Sequence, residues 1–144
     1  MLEEAAAAIA RPQSFLSFDF GTRRIGVASG NTLLGQGQAR QTLVASGSAL
    51  FKDIARLIGE WRPDALVVGV PFYPDGAPHD NTARAQRFAR QLKGRFHLPV
   101  HEVDERYTTT EALAAGAPDA DAEAAAIILT QFLQAGTRPG HAAA

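Results

Sequence analysis

Apolar and polar positions alternate over residues 15–20: Leu16, Phe18 and Phe20 point one way, Phe15, Ser17 and Asp19 the other. A period of two predicts a strand with one apolar face and one mixed face. Gly21 interrupts it. Residues 25–29 read as a second strand, followed by the turn signal Gly30-Asn31, and residues 37–44 as a weaker, glycine-dotted third. The period then changes. Over residues 48–61, Leu50, Phe51, Ile54, Leu57, Ile58 and Trp61 recur at three- and four-residue steps, which predicts an amphipathic helix ended by Pro63-Asp64. The continuous apolar run at 65–70 predicts a strand covered on both faces. A Pro- and Gly-rich loop at 71–78 follows. Residues 82–96 form a second helix, with Ala85, Phe88, Ala89, Leu92 and Phe96 on its inner side. Residues 99–103 read as a last strand. Thr108-x-x-Glu111 has the spacing of a capping box at the head of a short helix, which Gly116 to Pro118 ends. Residues 121–133 are a final helix, apolar around most of its girth and so expected to be buried.

Short links between the first three strands favour antiparallel neighbours, and helices between the later strands favour parallel ones. The expected architecture is an α/β domain, a mixed sheet with helices on its faces. The 144 residues suit a single domain. Residues 1–13 and 136–144 read as flexible tails, the first with the option of a short alanine-rich helix.

Composition narrows the chemistry. The chain has no cysteine, which removes disulfides, thiolate metal sites and thiol nucleophiles. It has no apolar run long enough to span a membrane and no secretory signal, so a cytoplasmic protein is expected. A net charge of −1 argues against wholesale electrostatic binding of nucleic acid but leaves room for a local basic patch. No phosphate-binding G-x-x-x-x-G-K-[ST] loop occurs, and the four histidines show no ligand spacing.

Three acids stand out by position: Asp19 inside the first strand, Glu105 just past the last strand, and Asp121 opening the final helix. If the first strand is central with a later parallel strand beside it, Asp19 and Glu105 approach each other, and the last helix can bring Asp121 near both. Carboxylates gathered at one spot either share a proton or hold a hard cation, and oxygen-only ligands suit Mg²⁺ or Mn²⁺. Each has a plainer alternative. Asp19 could bond the amides of the Gly21 turn, Glu105 could pair with Arg106 or Arg24 at the surface, and Asp121 could be a helix N-cap. Arg23 and Arg24 could hold a phosphate backbone. Arg84, Arg87, Arg90, Lys93 and Arg95 crowd one helix and read as a solvated face.

The stretches LSFDFGTRRIGVASG, ALVVGVPFYPDG, TARAQRFARQL, VDERYTTTEA and DAEAAAIILTQFL occur in the order and spacing of the YqgF family, and the chain resembles that family over roughly residues 15–134. These are bacterial pre-16S rRNA nucleases, also described as Holliday junction resolvases. The resemblance implies a ribonuclease H-like fold with a five-stranded mixed sheet flanked by helices. It implies metal-dependent hydrolysis of phosphodiesters in structured nucleic acid, with 5′-end maturation of precursor 16S rRNA as the role. It places the family's acids on Asp19, Glu105 and Asp121, as ligands of Mg²⁺ or Mn²⁺. Thr22, Arg23, Arg24, Arg106 and, more weakly, Thr109 are the substrate-binding candidates. The segment LAAGAPDAD is short and acidic where many members carry a longer, lysine-containing loop. Asp119 is the rival to Asp121 there, and Asp121 is preferred because it keeps the spacing to the final helix.

The expected partners are precursor rRNA, branched DNA and ribosomal particles, with no membrane, and the chain is expected to be a monomer or a weak homodimer. Three other readings remain: a resolvase acting on DNA junctions, a non-cleaving RNA-binding assembly protein, and an ATP-binding protein of the actin and sugar-kinase type. The last matches only the DFGT turn. That class closes two domains over its nucleotide, and this chain has no second copy of the turn.

Overall fold

The computed structural model describes residues 11–106, 110 and 113–135. It contains β1 (Ser14–Asp19), β2 (Ile25–Asn31), β3 (Gly37–Leu43), α1 (Gly47–Trp61), β4 (Ala65–Phe72), α2 (Thr82–Phe96), β5 (Val100–Arg106) and α3 (Ala120–Ala135). The sheet order is β3-β2-β1-β4-β5. β2 pairs antiparallel with β1 and β3, whereas β1–β4 and β4–β5 are parallel. The expected mixed α/β sheet is therefore present, with β1 at its centre.

The two faces of β1 sort as its alternation requires. Leu16 and Phe18 join Ile25, Val27, Leu66 and Val68 under Leu50, Ile54 and Leu57 of α1 and Phe88, Ala89 and Leu92 of α2. On the opposite face, Phe15, Ala65 and Val67 pack on Ile128, Leu129 and Leu133 of α3. Ser17, fully buried on that face, donates its hydroxyl hydrogen to the Ala125 carbonyl at 2.8 Å, so its polar atom does not go unpaired. Asp19, two residues on, belongs to the same face.

α3 lies unusually close to the sheet because small residues meet there. Gly26 on β2 has the backbone of Asp121 and Ala122 directly over it, and a Cβ at that position would overlap the Asp121 carbonyl oxygen. Gly69 on β4 similarly leaves room for Ile128, with Cγ of Glu105 next to it. The helix answers with a buried run of alanines at 122 and 124–126.

Several predicted boundaries move. β5 runs to Arg106 rather than 103, because Pro71 and Phe72 of β4 pair with Glu105 and Arg106. Glu105 thus lies within the strand, not past it. Gly30-Asn31 is the end of β2 rather than a turn. The reversal follows it, with the Asn31 side chain accepting the Leu34 N–H at 2.8 Å. Phe20 falls outside β1. Trp61 closes the apolar stripe of α1 but remains 39% exposed, covered from outside by the Arg40 guanidinium 4.4 Å from its ring centroid. The Thr108–Glu111 capping box and Thr109 lie outside the described residues.

Candidate functional site

The parallel pairings of β1 with β4 and of β4 with β5 set three strands side by side, with their carboxyl ends at one rim of the sheet. Open α/β sheets present their ligand sites at that rim. A cleft of about 360 Å³ opens there, lined by Asp19, Gly69, Glu105 and Asp121 together with Arg24, Asn81 and Thr110. The three acids singled out from the sequence thus reach one cleft from three elements.

Register explains how. Asp19 is the last residue of β1 and is flanked by glycine on both sides, Gly26 on β2 and Gly69 on β4. Gly69 in turn pairs with Val103, which puts Glu105 two residues further along β5 on the same face. Asp19 and Glu105 are one strand apart across β4, a separation of roughly 10 Å between β1 and β5. Gly69 puts no side chain of its own between them, and the Ile128 side chain packs over it. α3 supplies Asp121 from above.

The three carboxylates have different surroundings. Glu105 is 5% exposed. Its Oε2 accepts the Thr110 hydroxyl hydrogen at 2.7 Å. The Gln131 amide, with its nitrogen turned to the carboxylate, contacts both oxygens and is 3.0 Å from Oε2. Burial raises the Glu105 pKa above the usual carboxylate value, Thr110 opposes that by stabilising the charge, and Asp104 adds to it by repulsion. The surface pairing of Glu105 with Arg106 or Arg24 is thereby excluded. Asp121 is half-buried and holds the Arg24 Nε 2.8 Å from its Oδ2. Asp19 is half-buried at the cleft floor.

The capping role falls to Asp119. Its Oδ1 accepts the Ala122 N–H at 3.2 Å and the Thr42 hydroxyl at 2.5 Å, and its carbonyl accepts the Glu123 N–H at 2.9 Å. Asp119 is therefore the N-cap of α3, and the reading of Asp121 as that cap is wrong. Asp121 is left in the first turn, aimed at the cleft.

The substrate-binding candidates separate. Arg24 lines the cleft, whereas Thr22 and Arg23 are exposed on the turn beside it. Arg106 turns away toward the loop after β4, 3.5 Å from Asp104 and donating to the Tyr73 carbonyl at 3.3 Å. Sequence reasoning missed Thr110, Gln131 and Asn81. The first two support Glu105 from positions that carry no periodic signal. Asn81 is placed by a local lock: His79 Nδ1 accepts the Asn81 N–H at 3.0 Å, and the Thr82 hydroxyl accepts the His79 N–H at 2.7 Å. His79 thus serves the entry of α2.

The donor set is all carboxylate oxygen, which suits Mg²⁺ or Mn²⁺ in type and in placement around one cleft. Among the described residues, no three His, Asp or Glu side chains are already gathered closely enough to hold one ion. Arg24 occupies Asp121, while Thr110 and Gln131 face Glu105. Among the described residues no helix is long and apolar enough to cross a membrane.

A family model described as "RuvX: Holliday junction resolvase" matches residues 13–135. Relatives named "Putative pre-16S rRNA nuclease" are 66% identical in Albidiferax ferrireducens, covering 85% of this chain and 78% of the relative, and 62% identical in Polaromonas sp., covering 85% and 88%. A Burkholderia pseudomallei relative of the same name is 50% identical over 89% of this chain and 92% of its own length. Among solved structures, Thermus thermophilus RuvC in complex with a Holliday junction substrate superposes with a TM-score of 0.54 at 16% identity, covering 85% of this chain and 94% of that one. That likeness establishes the ribonuclease H-like fold. The resemblance drawn from five motifs is borne out, and the chain belongs to the RuvX family.

Proposed function

We propose that the protein is a divalent-metal-dependent nuclease that hydrolyses phosphodiester bonds in structured nucleic acid, with precursor 16S rRNA as substrate. The observation that carries this reading is the convergence of Asp19, Glu105 and Asp121 on one open cleft at the carboxyl ends of β1, β4 and β5. Family membership and the names of the relatives support nuclease chemistry.

Asp19, Glu105 and Asp121 would hold Mg²⁺ or Mn²⁺. A bound ion supplies a Lewis acid for the phosphate and a more acidic water. Asp19 offers the most rigid ligand, because a strand end paired on both sides holds a side chain better than a loop does. Thr110 and Gln131 orient Glu105 and favour its charged form. Arg24, at the cleft wall, is placed to exchange the Asp121 carboxylate for a substrate phosphate, a partner a guanidinium grips equally well. That exchange frees Asp121 as the substrate arrives. Asn81 adds a neutral donor to the cleft lining. Arg23 and Thr22, exposed beside the cleft, are positioned for more distant phosphates.

The test is cleavage of precursor 16S rRNA and of a four-way DNA junction side by side in Mn²⁺. Asp19→Asn is expected to lower cleavage by more than about 100-fold, beyond the 10–100-fold typical of groups that only support a ligand. Full activity of that variant removes the assignment. Preferential cleavage of the junction favours the resolvase reading, which the family description and the RuvC likeness of fold support. Binding of either substrate without cleavage in Mn²⁺ identifies a non-cleaving assembly protein. The chain is expected to act in the cytoplasm, on precursor or ribosomal particles, as a monomer or weak homodimer.

A further inference from the structure

The outer face of α2 has a composition unlike the rest of the chain. Five of the fourteen cations, Arg84, Arg87, Arg90, Lys93 and Arg95, fall in its fifteen residues, and it contains no acid. All five are exposed. Among the described residues none of them forms an ion pair, and the salt bridges found there involve Arg11, Arg24, Arg56 and Arg106. Arg95 stacks on Phe51, 4.0 Å from its ring centroid, and Arg84 donates to the Asn81 side chain at 3.3 Å. Among the described residues no carboxylate neutralises this surface.

The tertiary structure also says where this face leads. α2 follows β4 and so begins at the rim where the cleft opens, and Asn81, immediately before its first turn, lines that cleft. Arg84, bonded to Asn81, is the first cation of the series. Arg87 and Arg90 follow at steps of about 4.5 Å along the axis, so the three span about 9 Å, while Lys93 and Arg95 flank the face on either side, Arg95 against Phe51. The buried residues Ala85, Phe88, Ala89 and Leu92 occupy the opposite side, so Arg87 and Arg90 point outward.

We infer that the outer face of α2 is a phosphate-binding track that continues from the cleft and holds the part of a nucleic acid that extends beyond the scissile bond. This rests on the nucleic-acid reading of the cleft. A face of cations complements a polyanion, and successive phosphates of one duplex strand advance by about 3.4 Å, so Arg84, Arg87 and Arg90 are spaced to engage two or three. Arginine suits the role because its planar fork meets phosphate oxygens in pairs. Such contacts fix orientation and register without reading sequence. They also supply the grip that the short, acidic 113–121 segment does not.

The experiment measures binding of a long RNA hairpin and of a four-way DNA junction in EDTA, where cleavage plays no part, over a range of salt. Arg87→Glu combined with Arg90→Glu is expected to weaken binding about 10-fold or more and to reduce the slope of log K against log salt by about 2. The control reverses the same number of charges on α1, Lys52→Glu with Arg56→Glu, and is expected to leave both quantities near wild type. Thermal melts check that each variant is folded. The inference is overturned if the α2 variant binds like wild type, which would leave this face to an acidic protein surface, or if the α1 control loses as much. Asp19→Asn separates the two readings: normal cleavage in that variant removes the metal site while the track still stands or falls on the salt slopes.

Discussion

Glu105 is a carboxylate in a place that does not favour its charge. Burial is the largest influence on it and raises its pKa, against the Thr110 hydroxyl. The folded chain therefore binds the proton more tightly than the unfolded chain does. The stability that the protonated acid contributes is complete below the ordinary carboxylate range and is lost as pH rises through the raised value. Without metal, Glu105→Gln is permanently neutral, so it should melt close to wild type near pH 4 and at a higher temperature than wild type near pH 8. A variant that melts lower at the higher pH would mean that the charge is well compensated in the apo protein. The sequence picked out Glu105 as an acid near a strand end but gave no sign of its burial or of Thr110 and Gln131. Thr110 lies five residues on in the chain and Gln131 lies on α3, and nothing in their own spacing points to a carboxylate.

At the scale of elements, α3 places Asp121 because glycines on the sheet, Gly26 above all, let it lie close. A Cβ at Gly26 would meet the backbone of Asp121 and Ala122, and backbone cannot move aside without moving the helix. Gly26→Ala should therefore cost about 3 kcal/mol, the upper end for overpacking, measured by urea unfolding. It should also weaken metal binding by shifting Asp121, whereas a stable variant with unchanged affinity would show the contact to be soft. The helix itself was legible from its apolar sequence, as was α2 down to its exact ends. Its N-cap was not. Asp119 and Asp121 are equivalent in a local reading, and Asp119 takes the cap because Thr42, on β3, is there to bond it. The extra residues of β5 were invisible for a related reason. His101 to Arg106 is too polar to read as strand throughout, and the parallel pairing with β4 supplies the hydrogen bonds that hold it extended.

Across the whole molecule, the candidate ligands sit on β1, β5 and α3, so an ion held by all three ties the centre of the sheet to its edge and to a covering helix. Binding to the folded state alone stabilises by about 2.7 kcal/mol at a concentration 100 times Kd, which for a domain of this size raises Tm by roughly 8 °C. Mn²⁺ should produce such a rise in the wild-type protein, EDTA should reverse it, and Asp19→Asn should abolish it. An equal rise in that variant would place the ion elsewhere.

The sequence by itself determined the kinds and order of the elements, the family, and which acids to suspect. These are encoded in periods of two and 3.6 residues and in short motifs, all of which act over a few neighbours. Only the tertiary structure decided that β1 pairs with β4, and with it that Asp19, Gly69 and Glu105 share one face. It also decided that Asp119 rather than Asp121 caps α3, and that the basic face of α2 starts at the cleft. Each of these depends on groups distant in the chain, such as Ser17 and Ala125, 108 positions apart. A local pattern says what a segment can become, while the partner it meets across the fold settles which of its polar groups remain free for chemistry.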